Sequence, residues 1–320
     1  MTVRTNRPNF FLVGAPKCGT TSMDQYLRQH PGVFIPERKE IHYFGSDLTY
    51  TCVRPDLNDY LKYFRGVSDE TAIGESSVFY MLSNRAAAEI ADFAPEARII
   101  AMLRNPVDVM YAMHSENLFN GNEDVEDFEE ALALEDERRQ GRHLPDYYFN
   151  LESLFYRDVV KFAAQLERYL ERFPRERIHV ILFPDLKEDT PGTYRETCRF
   201  LEVDDGFAPD FQRANPNSRV RSKLVQNLIY RTNWASSYKV QRLIPGALRA
   251  WLRRLNRVDV ARQPLEPATR ARLREECRPE VERLEGLLKR DLSMWKEKAG
   301  QSTFDTGAKQ TFQVTADRRP

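Results

Sequence analysis

Three observations on this 320-residue chain predict an α/β fold with a central parallel sheet flanked by helices. Short apolar runs of strand length occur at 10–14, 72–75, 98–103 and 178–183. Segments with apolar residues at three- and four-residue spacing lie between them, so strand and helix patterns alternate. The first run also breaks into a glycine-containing turn just before a helical pattern, as in a βα unit.

The elements follow in order. Strand 10–14 (FFLVG) ends at Gly14, and helical periodicity resumes over 21–29. Helices are expected at 57–64 and 86–93, on either side of strand 72–75. Strand 98–103 leads through Asn105-Pro106 into a helix over 107–118, with proline near the first helical position, where no N–H is needed. Helices at 128–139 and 151–172, strand 178–183 and a helix at 193–201 complete the regular pattern. From about 205 the chain turns polar, basic and irregular, and a last helix is expected over 267–298. No repeat or linker divides it, so one domain over 1–299 and a polar, frayed tail over 300–320 are expected.

Lys plus Arg equals Asp plus Glu, 48 each, which argues against nucleic acid as the main partner and makes any anion site local. The four cysteines show neither metal-ligand spacing nor a disulfide framework and read as reduced thiols. No signal-peptide core is visible, and no apolar run approaches the roughly 20 residues needed to span a bilayer. A cytoplasmic protein is expected, of unassigned oligomeric state.

Ligands of parallel sheets bind at the carboxyl ends of strands, where Gly14, Glu75 and Arg104 all fall. The turn GAPKCGTT, residues 14–21, presents successive backbone N–H groups and a helix amino terminus to an anion, and Thr20 and Thr21 add hydroxyl donors. Gly14 and Gly19 keep the glycine spacing of a nucleotide phosphate loop, but the lysine, Lys17, lies inside the loop. It falls beside a first phosphate instead of reaching along a triphosphate. The Lys-Ser/Thr pair that holds a metal in kinase loops is absent, so no metal is expected.

These residues resemble the 5'-phosphosulfate loop of the sulfotransferases that use 3'-phosphoadenosine 5'-phosphosulfate (PAPS), particularly the glycan-type and bacterial small-molecule branches. The resemblance implies a P-loop-like sulfotransferase fold, with Gly14, Pro16, Lys17, Cys18, Gly19, Thr20 and Thr21 around the donor. It assigns Arg104, in IIAMLRNPVDVMYAMHSENL, to the donor's 3'-phosphate. Where the family pattern has a serine this chain has Ala112, and Ser115, one turn on, is the candidate substitute. In PERKEIHYFG it implies Glu40 as catalytic base, with His42 supporting or competing. AIGESSVFYM places Glu75, Ser76 and Ser77 on the acceptor side, and makes Glu75 the main rival base. NPNSRVRSK supplies Arg219, Arg221, Ser222 and Lys223 as a basic loop over the 3'-phosphate.

The implied activity is transfer of a sulfuryl group from PAPS to a hydroxyl, or an amine, of a carbohydrate or small-molecule acceptor, releasing 3',5'-adenosine bisphosphate (PAP). The alternatives are a nucleotide-dependent kinase and a catalytically inactive nucleotide-binding protein of the same fold.

Overall fold

The computed structural model describes residues 6–212 and 263–296, with the backbone of two further short strands at 218–220 and 257–259. The sheet has five parallel strands in the order β2-β3-β1-β4-β5: β1 (Phe10–Gly14), β2 (Val33–Phe34), β3 (Ala72–Ser76), β4 (Arg98–Leu103) and β5 (Ile178–Leu182). β1 is central, with Phe11 opposite Glu75 on one side and Ile99 on the other. After β1 the chain fills one side of the sheet and then returns to fill the other, so a topological switch lies beside β1. Every residue of β1 and β3 is buried, as expected of parallel strands covered on both faces.

The helices include α1 (Thr20–Leu27), α2 (Leu57–Lys62), α3 (Ala86–Phe93) and α4 (Pro106–Asn120). α4 opens as expected: Asn105 caps it by accepting from the N–H groups of Val107 and Asp108, with proline in the first turn. The expected helix at 128–139 divides into α5 (Phe128–Ala133) and α6 (Glu135–Arg139).

The helix expected over 151–172 divides into a 3-10 turn (Leu151–Leu154), α7 (Tyr156–Val159) and α8 (Phe162–Leu170). Phe155 and Lys161 leave helical geometry, with ψ of 75° and 58°. The Gln165 side chain donates to the freed carbonyl of Asp158 at 2.7 Å. β2 was not expected from the sequence, because two residues are too few to show alternation.

The strand expected to reach Phe183 stops at Leu182, and α9 (Phe183–Glu188) begins there with proline in its first turn. α10 (Thr190–Leu201) starts three residues earlier than expected, since Asp189 caps it by accepting from Gly192 N–H. The helix expected over 267–298 stops at Leu288 as α11 (Pro267–Leu288), ended by Lys289, left-handed at φ 53°, before the short α12 (Ser293–Lys296). β6 (Ser218–Val220) and β7 (Arg257–Asp259) pair antiparallel, and β6 lies alongside α4. Arg221, Ser222, Lys223 and the tail at 300–320 lie outside the described residues. Among the described residues no helix is long and apolar enough to cross a membrane.

Candidate functional site

The turn after β1 is shaped by its two glycines. A Cβ on Gly14 would lie 2.7 Å from the Val78 carbonyl oxygen and 2.8 Å from Met81 Cβ. Gly19, left-handed at φ 92°, caps α1, and a Cβ there would meet Leu186 at 3.0 Å and Phe183 at 3.1 Å. Ala15 N–H donates to the Met102 carbonyl at 2.7 Å, fixing the turn to β4. Lys17 is also left-handed, at φ 61°. For a non-glycine residue this costs about 1 kcal/mol or more, and such positions concentrate at functional sites.

Cys18 faces inward. Its thiol donates to the Pro16 carbonyl at 3.4 Å, and burial pushes its pKa up to about 12 despite the positive charges of Arg104 and Lys17. Cys18 therefore serves the turn through its backbone and is no thiolate.

Lys17 Nζ pairs with Glu116 Oε1 of α4 at 3.1 Å while its side chain stays 28% exposed. Arg104, just beyond β4, stacks its guanidinium on the Phe183 ring at 4.8 Å. It also meets Asp108 at 3.5 Å, and Asp108 is shared with Arg270 of α11 at 2.9 Å. Two half-buried cations, from the turn and from the end of β4, thus each rest against a carboxylate of α4.

The segment bearing Glu40 and His42 docks on the end of β3, where Glu40 N–H donates to the Ser76 carbonyl at 2.9 Å. Both residues are left-handed, at φ 60°. Burial is the main cause raising the Glu40 pKa; Glu116 and Asp24 add to it, and Lys39 and Lys17 oppose it. The side chain is nevertheless 32% exposed, and among the described residues no hydrogen bond reaches its carboxylate. An ionisable group with raised pKa, open access and free lone pairs can accept a proton.

His42 is buried between the rings of Tyr50 and Phe149, at 4.3 and 5.2 Å. Burial, aided by Arg38 and Arg54, lowers its pKa to about 3, so the ring is neutral and its Nε2, 3.8 Å from Glu40, forms no ion pair at neutral pH. Among the described residues its Nδ1 is buried without a partner.

Glu75 is differently placed. It is 1% exposed and accepts from Ser77 Oγ at 2.6 Å and from Tyr60 and Tyr80 hydroxyls at 2.7 Å each. In this geometry it binds three hydroxyls of the core and presents no surface to an acceptor. Ser77 is part of that network, and among the described residues the Ser76 hydroxyl is buried without a partner.

Ser115 donates within its own helix, to the Tyr111 carbonyl at 2.9 Å, and offers only lone pairs outward. Arg219 lies in β6, beside α4.

Lys17, Thr21 and Glu40 are thus brought into one neighbourhood, and Arg104 adjoins it through Cys18 and Phe183. Sequence reading missed Glu116, Phe183, Lys39 and the His42 neighbours Tyr50 and Phe149. Asp108, four residues after Arg104 and in the first turn of α4, was missed as well.

This strand-end turn, with a lysine inside it and an open carboxylate beside it, is the candidate site for group transfer. Residues 7–227 match the family described as "Sulfotransferase domain", and the chain belongs to that family. It is similar to a sulfotransferase of Alicyclobacillus acidocaldarius, with 33% identity and a TM-score of 0.69, covering 91% of this chain and 99% of that one. Among sequence relatives, "Membrane-associated sulfotransferase kil1" of Dictyostelium discoideum is 23% identical over 68% of this chain and 62% of its own length. Human "Carbohydrate sulfotransferase 15" is 30% identical over 61% of this chain and 44% of its own. The chain therefore spans less than two thirds of these curated relatives.

Proposed function

We propose that this protein is a PAPS-dependent sulfotransferase acting on a hydroxyl of a carbohydrate or small-molecule acceptor by in-line displacement. The observation that carries the reading is that the segment bearing Glu40 docks on the end of β3 and is tied to the Lys17-bearing turn after β1 by the bond from Lys39 to Thr21. The residues present fit a donor with two separated phosphate groups. The turn's N–H groups, Lys17, Thr20 and Thr21 would hold its 5' end, and Arg104, with Arg219 beside α4, its 3'-phosphate. When bound, the donor supplies an activated sulfuryl group. Glu40 removes the acceptor proton, and Lys17, released from Glu116, stabilises charge on the departing phosphate oxygen.

Carbohydrate names among the relatives support that acceptor class. Thermal unfolding with PAP, ADP, and ATP with Mg²⁺ tests the reading. At 100 times its dissociation constant a ligand adds about 2.7 kcal/mol, a clear shift. Stabilisation by PAP without metal is expected; stabilisation by ATP with Mg²⁺ alone sinks the proposal in favour of a kinase.

A further inference from the structure

We infer that Arg270 is a positioning residue of the donor site, acting through Asp108 to keep Arg104 free for the donor's 3'-phosphate. The inference rests on the sulfotransferase reading above and extends its donor site to a helix far along the chain. Asp108, in the first turn of α4, lies between two guanidinium groups: Arg270 Nη1 donates to its Oδ1 at 2.9 Å, and Arg104 Nη2 meets its Oδ2 at 3.5 Å. Arg270 makes the closer contact. The Phe183 ring steadies Arg104 through cation–π attraction, which consumes no N–H donor.

Arg270 is the fourth residue of α11, whose first turn carries no acidic residue. A cation at the positive amino end of a helix is unfavourable unless something else compensates it. Asp108 is the carboxylate that does so. Thr269 and Leu273, on either side of Arg270 in the helix, are buried, which fixes the start of α11 against the body of the protein. Arg272 and Glu276 tie the same helix to Glu129 and Arg157, so its docking does not depend on Arg270 alone.

A 3'-phosphate bound by Arg104 brings about −1.5 to −2 charge close to that carboxylate. Without Arg270, Asp108 would have Arg104 as its sole cationic partner among the described residues. It would hold that guanidinium back from the donor. Once the donor had taken Arg104, Asp108 would face the phosphate uncompensated, at a cost set by like-charge repulsion. With Arg270 in place, Arg104 turns to the phosphate while Asp108 keeps its closer partner. Of two cations on one carboxylate, one neutralises it and the other serves the donor.

The test compares PAP with 5'-AMP, which lacks only the 3'-phosphate, in a double-mutant cycle between the two residues. Dissociation constants for both nucleotides and melting temperatures are measured for the wild type, Arg270→Met, Arg270→Lys, Asp108→Asn and the double variant of Arg270→Met with Asp108→Asn. Arg270→Met is expected to weaken PAP about three- to tenfold, with AMP affinity unchanged within about twofold. Arg270→Lys should recover part of the loss. In the Asp108→Asn background the same Arg270→Met change should cost less than about twofold in PAP affinity, because no carboxylate is left to compete. A loss that persists in that background would make Arg270 a direct phosphate ligand. Equal weakening of PAP and AMP with a lower melting temperature would make it a structural tie, and unchanged PAP affinity would leave it no part in the site; each of these overturns the inference. If the wild type binds PAP no more tightly than AMP, the 3'-phosphate site of the sulfotransferase reading itself fails and takes this inference with it.

Discussion

Glu40 and Glu75 stand at the same end of the sheet, linked through the hydrogen bond from Glu40 N–H to the Ser76 carbonyl. Burial raises both pKa values. Their surroundings separate them. Three hydroxyls occupy the oxygens of Glu75, whereas those of Glu40 accept no hydrogen bond among the described residues. A strand-end carboxylate becomes structural when its lone pairs are filled by the core, and stays available for chemistry when they are left open.

The hardest test of that contrast is Glu40→Gln, which keeps the shape and removes the base. Sulfuryl transfer is expected to fall about 10²- to 10⁴-fold, with PAP affinity and melting temperature nearly unchanged. Turnover close to wild type would return the role to another group. The pH profile sharpens the same point. A base acts only when ionised and the Glu40 pKa is raised, so the rate should decline with falling pH at a value above the usual carboxylate range. His42, held near 3, stays neutral throughout, so His42→Asn should leave that limb in place.

Arg104→Ala comes next in size. Losing a charge-assisted phosphate contact of about 1.5–3 kcal/mol should weaken PAP roughly 10- to 150-fold, as calorimetry can read. Asp108 keeps Arg270 as a partner, so stability should change little.

Glu75→Gln should reverse the pattern of Glu40→Gln. Disturbing three buried hydroxyls costs about 1–3 kcal/mol, visible as a lower melting point, while the variant that remains folded transfers sulfuryl groups at a rate near normal. A large rate loss in stable Glu75→Gln protein would erase the distinction between the two glutamates.

The sequence disclosed the parts of this site that obey local rules. Gly14 and Gly19 follow from a tight turn, Asn105-Pro106 from a helix start, and the strand ends from apolar runs. What it hid depends on contacts between distant segments. Nothing local to Glu116 says that it meets Lys17, 99 positions earlier in the chain (116 − 17), and nothing in AIGESS says that Tyr60 will cap Glu75. The 151–172 stretch misled for a related reason: its periodicity is real, but the side-chain bond from Gln165 stabilises a break that propensity does not foresee.

Glu116 gives the smallest and most selective expected effect, because it touches both ends of the chemistry. It holds Lys17 at 3.1 Å, and its charge contributes to raising the Glu40 pKa. On the proposed reading a bound donor takes Lys17 from it, so part of the binding energy would go into breaking that pair. Glu116→Gln removes the competitor and should tighten PAP by a few-fold, within the roughly 0–1 kcal/mol range of a partly exposed ion pair. The same change withdraws a negative charge from beside Glu40, which lowers its pKa and moves the acid limb of the rate profile to lower pH. Tighter PAP binding with an unmoved limb would mean that Glu116 acts on Lys17 alone, and that the openness of Glu40 owes nothing to α4.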